Sequence, residues 1–127
     1  MVFMDASGTE AASEMATYIP SMKALWTGEL TYHGMHNIYT LRGAKVRDAI
    51  KWSKDINALL TRFGDDAQLL FEAHSAPVFG NADVNAYLRM QRDNYGLVHN
   101  QTLRLANNGV GIQDIGDAIQ TTIPKAV

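Results

Sequence analysis

The chain contains no cysteine, which excludes disulfide bonds and thiolate metal sites, while leaving the compartment open because cysteine-free proteins occur everywhere. It also has no apolar run near the roughly 20 residues a membrane span needs. The N-terminal MVFMDASGTE lacks both a basic n-region and an apolar h-region, so no signal peptide is visible. An excess of positive charge is missing too. The formal net charge is −2, with 19% charged and 46% hydrophobic residues, the profile of an ordinary globular chain. At 127 residues it fits one domain that buries roughly two thirds of its unfolded surface.

What is present is mostly helical periodicity. Thr9 or Ser7 is placed to cap a helix running through Met15 and Tyr18 until Pro20 disturbs it. Ala24 to Thr31 reads as a short buried strand, and His36 to Arg42 as one or two helical turns. From Val46, the positions Ala49, Ile50, Ile56, Leu59, Leu60 and Phe63 follow a 3-4 spacing, with Gly64 as a C′ residue. The apolar run Ala67 to Phe71 reads as a buried strand ending near His74. Asn81 is a candidate N-cap for a long helix. Its stripe of Val84, Tyr87, Leu88, Tyr95, Val98, Thr102 and Ala106 ends at Asn107-Asn108-Gly109. Such a helix approaches ~40 Å, against a radius of gyration of ~14 Å for a compact domain this size, so the stripe is expected to meet a second chain or another domain. Gln113 to Ile119 reads as a short amphipathic helix that Pro124 ends. The expected fold class is mainly α with a few short strands (α/β).

Chemistry concentrates in three stretches rich in Gly, Asn and Pro: GTEA around Glu10, GELTYHGMHN from Gly28 to Asn37, and AHSAPVFGN around His74. Two glutamates and up to three histidines in loop-like segments suit Zn²⁺ and its neighbours. Taken alone, each residue also has a plain structural role. Glu10 reads as a first-turn helix carboxylate, Glu29 as a solvated one beside a turn glycine, and His74 as a loop histidine bonded to backbone. Arg42, Lys45 and Arg47 read as a solvated helix face.

Three longer runs carry a resemblance: HNIYTLRGAKVRDAIKWSKDIN, FGDDAQLLFEAHSAPVFGN and QRDNYGLVHNQTLRLANNG. They resemble the bacterial alkylsulfatases (the SDS-hydrolase family), large zinc hydrolases of the metallo-β-lactamase superfamily. The resemblance extends from GTEA to LANNG without obvious gaps. It implies that residues 1–36 match the end of a metallo-β-lactamase αββα domain. Residues 37–127 then match the start of the family's helical dimerisation domain, including a short strand and the His74 loop. The family's HxHxDH motif, which supplies ligands to both metals, has no counterpart in the sequence. Neither do the rest of the dimerisation domain and the sterol-carrier-like C-terminal domain.

The resemblance implies that Glu10, Glu29 and His74 are metal ligands, and that Asn37 and Arg42 contact the sulfate ester. An arginine fork and an amide donor suit tetrahedral oxyanions. His33 and His36, three apart, match histidines of the family's HxxHN pattern and are expected to line the site from one side of a turn. Three departures stand out: Ser7 replaces a proline, Leu30 replaces a polar residue after the Glu, and Ser75 stands where a second His is common. Neither Leu30 nor Ser75 removes a ligand atom; both positions bear on the groups that orient the ligands. The implied function is zinc-dependent hydrolysis of long-chain alkyl sulfates, with two zincs per site, and this chain alone is expected to be folded or partly folded, oligomeric and inactive. A periplasmic or secreted location is implied by the family only.

Two non-enzymatic readings compete. LANNGVGIQDIGDAIQ has the outline of a helix-turn-helix. From Gly80 to Val127, however, four basic residues meet four acidic ones, leaving no counterion-release contribution for nucleic acid. A helical self-association module, pairing the Val84 to Ala106 stripe across a two-fold axis as a homodimer or higher homo-oligomer, is the stronger alternative.

Overall fold

The computed structural model of the chain describes residues 1–120. Its sheet has five strands in sequence order: β1 (Val2–Asp5), β2 (Met15–Ile19), β3 (Ala24–Trp26), β4 (Leu69–Phe71) and β5 (Val78–Phe79). Strands β3 and β4 pair in parallel, and every other neighbouring pair is antiparallel. The parallel pair is joined across helix α1 (Ala49–Phe63), because parallel strands need a long crossover. Helices α2 (Asn81–Asn107) and α3 (Ile112–Gln120) follow. The fold is α/β, as its sequence pattern suggested.

The expected helix through Met15 and Tyr18 is instead a β-hairpin, with Val2 opposite Tyr18 and Met4 opposite Ala16. Its Met15–Ile19 segment holds Thr17 and Ile19, β-branched residues that pack well on a pleated surface. The intervening loop turns at Gly8, where φ is +79°. Thr9 caps nothing helical; its hydroxyl donates to the Ala6 carbonyl at 2.6 Å. Glu10 therefore has no helix dipole to answer. The strand expected over Ala24–Thr31 stops at Trp26, because Gly28 adopts φ +58° and the Leu30 N–H closes a turn on the Thr27 carbonyl at 2.9 Å.

His36 to Arg42 forms no helix; Ile38 and Tyr39 make a bend, and a turn over 41–43 follows. Helix α1 begins three residues later than the Val46 spacing implied. Val46 is exposed, and Asp48 takes the cap by accepting the Lys51 N–H at 3.0 Å. Gly64 ends α1 without a left-handed turn, at φ −57°. Its carbonyl instead accepts the Asn81 and Asn85 amides at 2.6 and 2.7 Å. Asn81 thus ties α1 to α2 and is not the cap; Gly80 occupies that position. At the far end the expected stop holds, with Gly109 at φ +81° and the Val110 N–H returning to the Leu105 carbonyl at 3.1 Å. Pro124 lies outside the described residues.

Met4, Ala16, Tyr18, Leu25 and Leu70 line one sheet face and pack on Trp52, Ile56, Leu59 and Phe63 of α1 and on Val84, Tyr87, Leu88 and Tyr95 of α2. Tyr18 stacks on Phe63 with ring centroids 4.6 Å apart. The other face leaves Phe3, Met15 and Phe79 exposed, with Trp26 and Phe71 packed together at 5.0 Å. Along α2, burial is dense from Val84 to Tyr95. Beyond it, Val98 and Thr102 are half-buried, Ala106 is exposed, and Leu105 turns inward instead.

Candidate functional site

The core delivers three loops to one edge of the sheet. The Gly28–Asn37 segment leaves β3, the Glu72–Ser75 segment leaves β4, and the Gly8–Ala12 loop lies between β1 and β2. The first two are laced by backbone: the Thr27 N–H donates to the Phe71 carbonyl at 3.1 Å, and the Ala73 N–H to Gly28 at 2.9 Å. That lacing brings Glu29 and His74 together, with Oε2 and Nε2 3.1 Å apart. Two donors each ~2.0–2.2 Å from one zinc in a tetrahedral shell keep a similar separation. The same distance also serves as a plain hydrogen bond.

Glu10 is placed differently. Arg47 engulfs it: Nη2 donates to the carboxylate, Nε to the Glu10 carbonyl at 2.7 Å, and Nη1 to the Asn37 carbonyl at 2.6 Å. Both side chains are nearly buried, at 8% and 12% exposure. Arg47 is therefore no part of a solvated face. Arg42 and Lys45 remain exposed. With Lys51 and Glu10 they edge a cavity of about 650 Å³ between the Gly8–Ala12 loop and the start of α1. Arg47 and Asp48 also line it, but Arg47 is paired with Glu10 and Lys51 with Asp55. Among the described residues, Arg42 and Lys45 are thus the cations there without an ion-pair partner, and they suit an oxyanion. Asn37 reaches the neighbourhood through its backbone carbonyl.

His33 and His36 do not share one side of a turn. His33 is half-exposed, stacks on Tyr87 at 4.8 Å and faces Glu72. His36 turns inward, 4.6 Å from the Tyr32 ring, 5.9 Å from Trp52 and 5.8 Å from His74. Burial holds the His36 imidazole below its usual range, against the pull of Glu10 and Glu29. Its Nε2 is buried without a hydrogen-bond partner among the described residues. Glu14, which nothing in the sequence singled out, is pushed upward by burial, and the nearby Glu10 and Glu29 charges add to the effect. Its carboxylate lies against Gly28, whose φ of +58° favours glycine before Glu29.

A metal finds part of a ligand set here. Glu29, His74 and the orphaned His36 nitrogen are suitable donors in chemistry, but Glu10 is engaged by Arg47. Among the described residues no three His, Asp or Glu side chains are grouped to hold an ion. The residues fit as one portion of a site, not as a site on their own.

Helix α2 supports the loops from behind. The Gln91 amide donates to the Tyr32 and Gly34 carbonyls at 2.6 and 3.1 Å, and the Tyr95 hydroxyl accepts the His36 N–H at 3.2 Å. These supports were invisible in sequence, where Gln91 reads as one more polar helix residue.

No family model matches the chain. Curated relatives do. A linear primary-alkylsulfatase from Pseudomonas sp. is 45% identical over 125 residues, covering 98% of this chain and 18% of the relative. An alkyl/aryl-sulfatase from Saccharomyces cerevisiae is 42% identical over 119 residues, covering 94% of this chain and 18% of the relative. Among solved structures, a stereoselective inverting sec-alkylsulfatase from Pseudomonas sp. superposes with a TM-score of 0.89 at 38% identity, over 98% of this chain and 19% of that one. A metallo-β-lactamase from Pontibacter korlensis matches in fold, with a TM-score of 0.53 at 18% identity over 72% of this chain and 40% of that one. The chain spans about a fifth of the length of the alkylsulfatases it matches. Over nearly its whole length the chain is alkylsulfatase-like in sequence and structure, and it shares its fold with part of a metallo-β-lactamase.

Proposed function

We propose that the chain is a working segment of a zinc-dependent hydrolase that cleaves long-chain alkyl sulfate esters to alcohol and sulfate. The observation that carries this reading is the meeting of Glu29 and His74 at 3.1 Å, in a segment 45% identical to a linear primary-alkylsulfatase. In this reading Glu29, His74 and Glu10 are donors to zinc, while Asn37 and Arg42, the latter at the rim of the cavity, hold the sulfate group. Bound zinc would supply Lewis acidity and a water acidified toward neutral pH. Arg47 keeps the Glu10 carboxylate and the Asn37 backbone in one place. His36, kept neutral by burial, keeps a free nitrogen beside His74.

The HxHxDH motif is absent from the sequence, so three donors alone leave a binuclear site under-coordinated. The open sheet face around Phe3 and Phe79 supports the same reading, because a sheet buries both apolar faces when it works inside a larger layered domain. The chain by itself is therefore inactive. Its second reading is self-association through α2, favoured by the incomplete cover of the helix beyond Tyr95, where Leu103 is 51% exposed, and by Met90, 47% exposed ahead of Tyr95. One experiment addresses both: purified chain incubated with zinc and dodecyl sulfate, sulfate release followed, and solution mass read by light scattering. The expected outcome is no release and a mass above that of one chain. Sulfate release that disappears in His74→Ala contradicts the inactivity. A strictly single-chain mass contradicts the self-association.

A further inference from the structure

Among the buried groups the proposed chemistry does not use, Glu72 is the most unusual. Its side chain is 0% exposed, and a carboxylate in that position is costly unless hydrogen bonds replace the lost water. Two residues of the loop after β3 and one of α2 supply them. The Thr31 hydroxyl donates to Oε2 at 2.6 Å, and the Tyr87 hydroxyl on α2 lies 3.0 Å from both oxygens. His33 Nδ1 lies 3.3 Å from Oε1. Thr27 extends the network by sharing a hydrogen bond with Thr31 at 2.7 Å. The burial and the Glu72 charge beside it push the Tyr87 hydroxyl far above its usual range, so it stays a donor.

The sequence positions of these partners decide what the network does. Glu72 lies two residues before His74, and Thr31 two residues after Glu29. The backbone hydrogen bonds that join the two loops stop at Ala73 and Gly28, one residue short of both side chains. The Glu72–Thr31 hydrogen bond adds a side-chain bridge between the loops. A second bridge lies alongside, where the His33 N–H donates to the Ser75 hydroxyl at 2.9 Å. A leucine of similar size would fill the same space without the desolvation penalty, so the carboxylate acts through direction, not burial.

We propose that Glu72 is a positioning residue: through Thr31, Tyr87 and His33 it locks the loops after β3 and β4 in the arrangement that presents Glu29 to His74. The proposal rests on reading that pair as functional, but its test needs neither zinc nor turnover. The imidazole ¹⁵N resonances of His74 are recorded in the metal-free full chain, in Glu72→Gln, and in Glu29→Ala as the reference for a lost partner. Gln keeps the volume and turns an amide N–H₂ toward groups that are already donors. In Glu72→Gln the His74 signals are expected to shift to those of Glu29→Ala, with amide spectra still those of a folded chain. Ile56→Val, a core change away from the loops, leaves them in place. Should Glu72→Gln not fold, Thr31→Val and Tyr87→Phe remove one donor each, and both are expected to move the His74 signals the same way. His74 signals unchanged in folded Glu72→Gln, or in both single-donor variants, overturn the proposal. A chain that shows this shift yet binds no zinc overturns the hydrolase reading and leaves the positioning role standing.

Discussion

Replacing Trp52 with alanine is expected to cost about 3–5 kcal/mol of stability, the range for emptying a large aromatic from a packed core. Trp52 is fully buried and stacks on Tyr95 with centroids 4.2 Å apart and planes 13° from parallel. Its indole N–H also donates to the Leu30 carbonyl at 2.7 Å. The substitution therefore opens a cavity between α1 and α2 and leaves a buried carbonyl unpaired. Set against a total stability of about 5–15 kcal/mol for a domain, the loss is close to unfolding. Trp52→Phe separates the two effects, keeping most of the ring and losing the hydrogen bond at about 1–3 kcal/mol. Urea denaturation of both variants checks the order. Because Leu30 follows Glu29, the Phe variant is also expected to loosen the Glu29 loop.

Arg47→Met has the next largest expected effect, about 2–4 kcal/mol. The logic is not that the ion pair is strongly stabilising, because buried pairs often only balance their desolvation. It is that removing one partner strands the other. Glu10 is left with a nearly buried carboxylate and no cation, and the Glu10 and Asn37 carbonyls lose their donors. Arg47→Lys does not rescue it fully, since one ammonium cannot reproduce a planar fork serving three acceptors. The double variant Arg47→Met with Glu10→Gln is expected to recover part of the loss, because the stranded charge is gone. Thermal denaturation of the set measures this coupling. Equal losses in the single and double variants would show that the Glu10 charge plays no part.

The contrast between these two residues shows what the sequence carries. The 3-4 spacing made both long helices readable, and Trp52 falls on it between Ala49 and Ile56, although the stripe read from the sequence passed over it. Arg47 lies just before the helix, where the same spacing placed it on a solvated face. Only the fold reveals that the chain bends there and turns the guanidinium inward. The β1–β2 hairpin was missed for a related reason: MATYI is short, and its strand character depends on pairing with VFMD, which no local pattern records. Strand β5, with two residues, is below any periodic signal. Glu72 is indistinguishable in FEAHS from a solvent carboxylate, because its partners lie 15, 39 and 41 positions away. Glu29 and His74 were linked only through the resemblance of long motifs, and spacing alone could not have paired them.

The central claim is that Glu29 and His74 form one donor pair of an alkylsulfatase-type metal site. Calorimetric zinc titration of the purified chain, beside Glu29→Ala and His74→Ala, tests it most directly. Weak binding of one zinc per chain, abolished by either substitution, is the expected result. Zinc heats of equal size in all three proteins would contradict it.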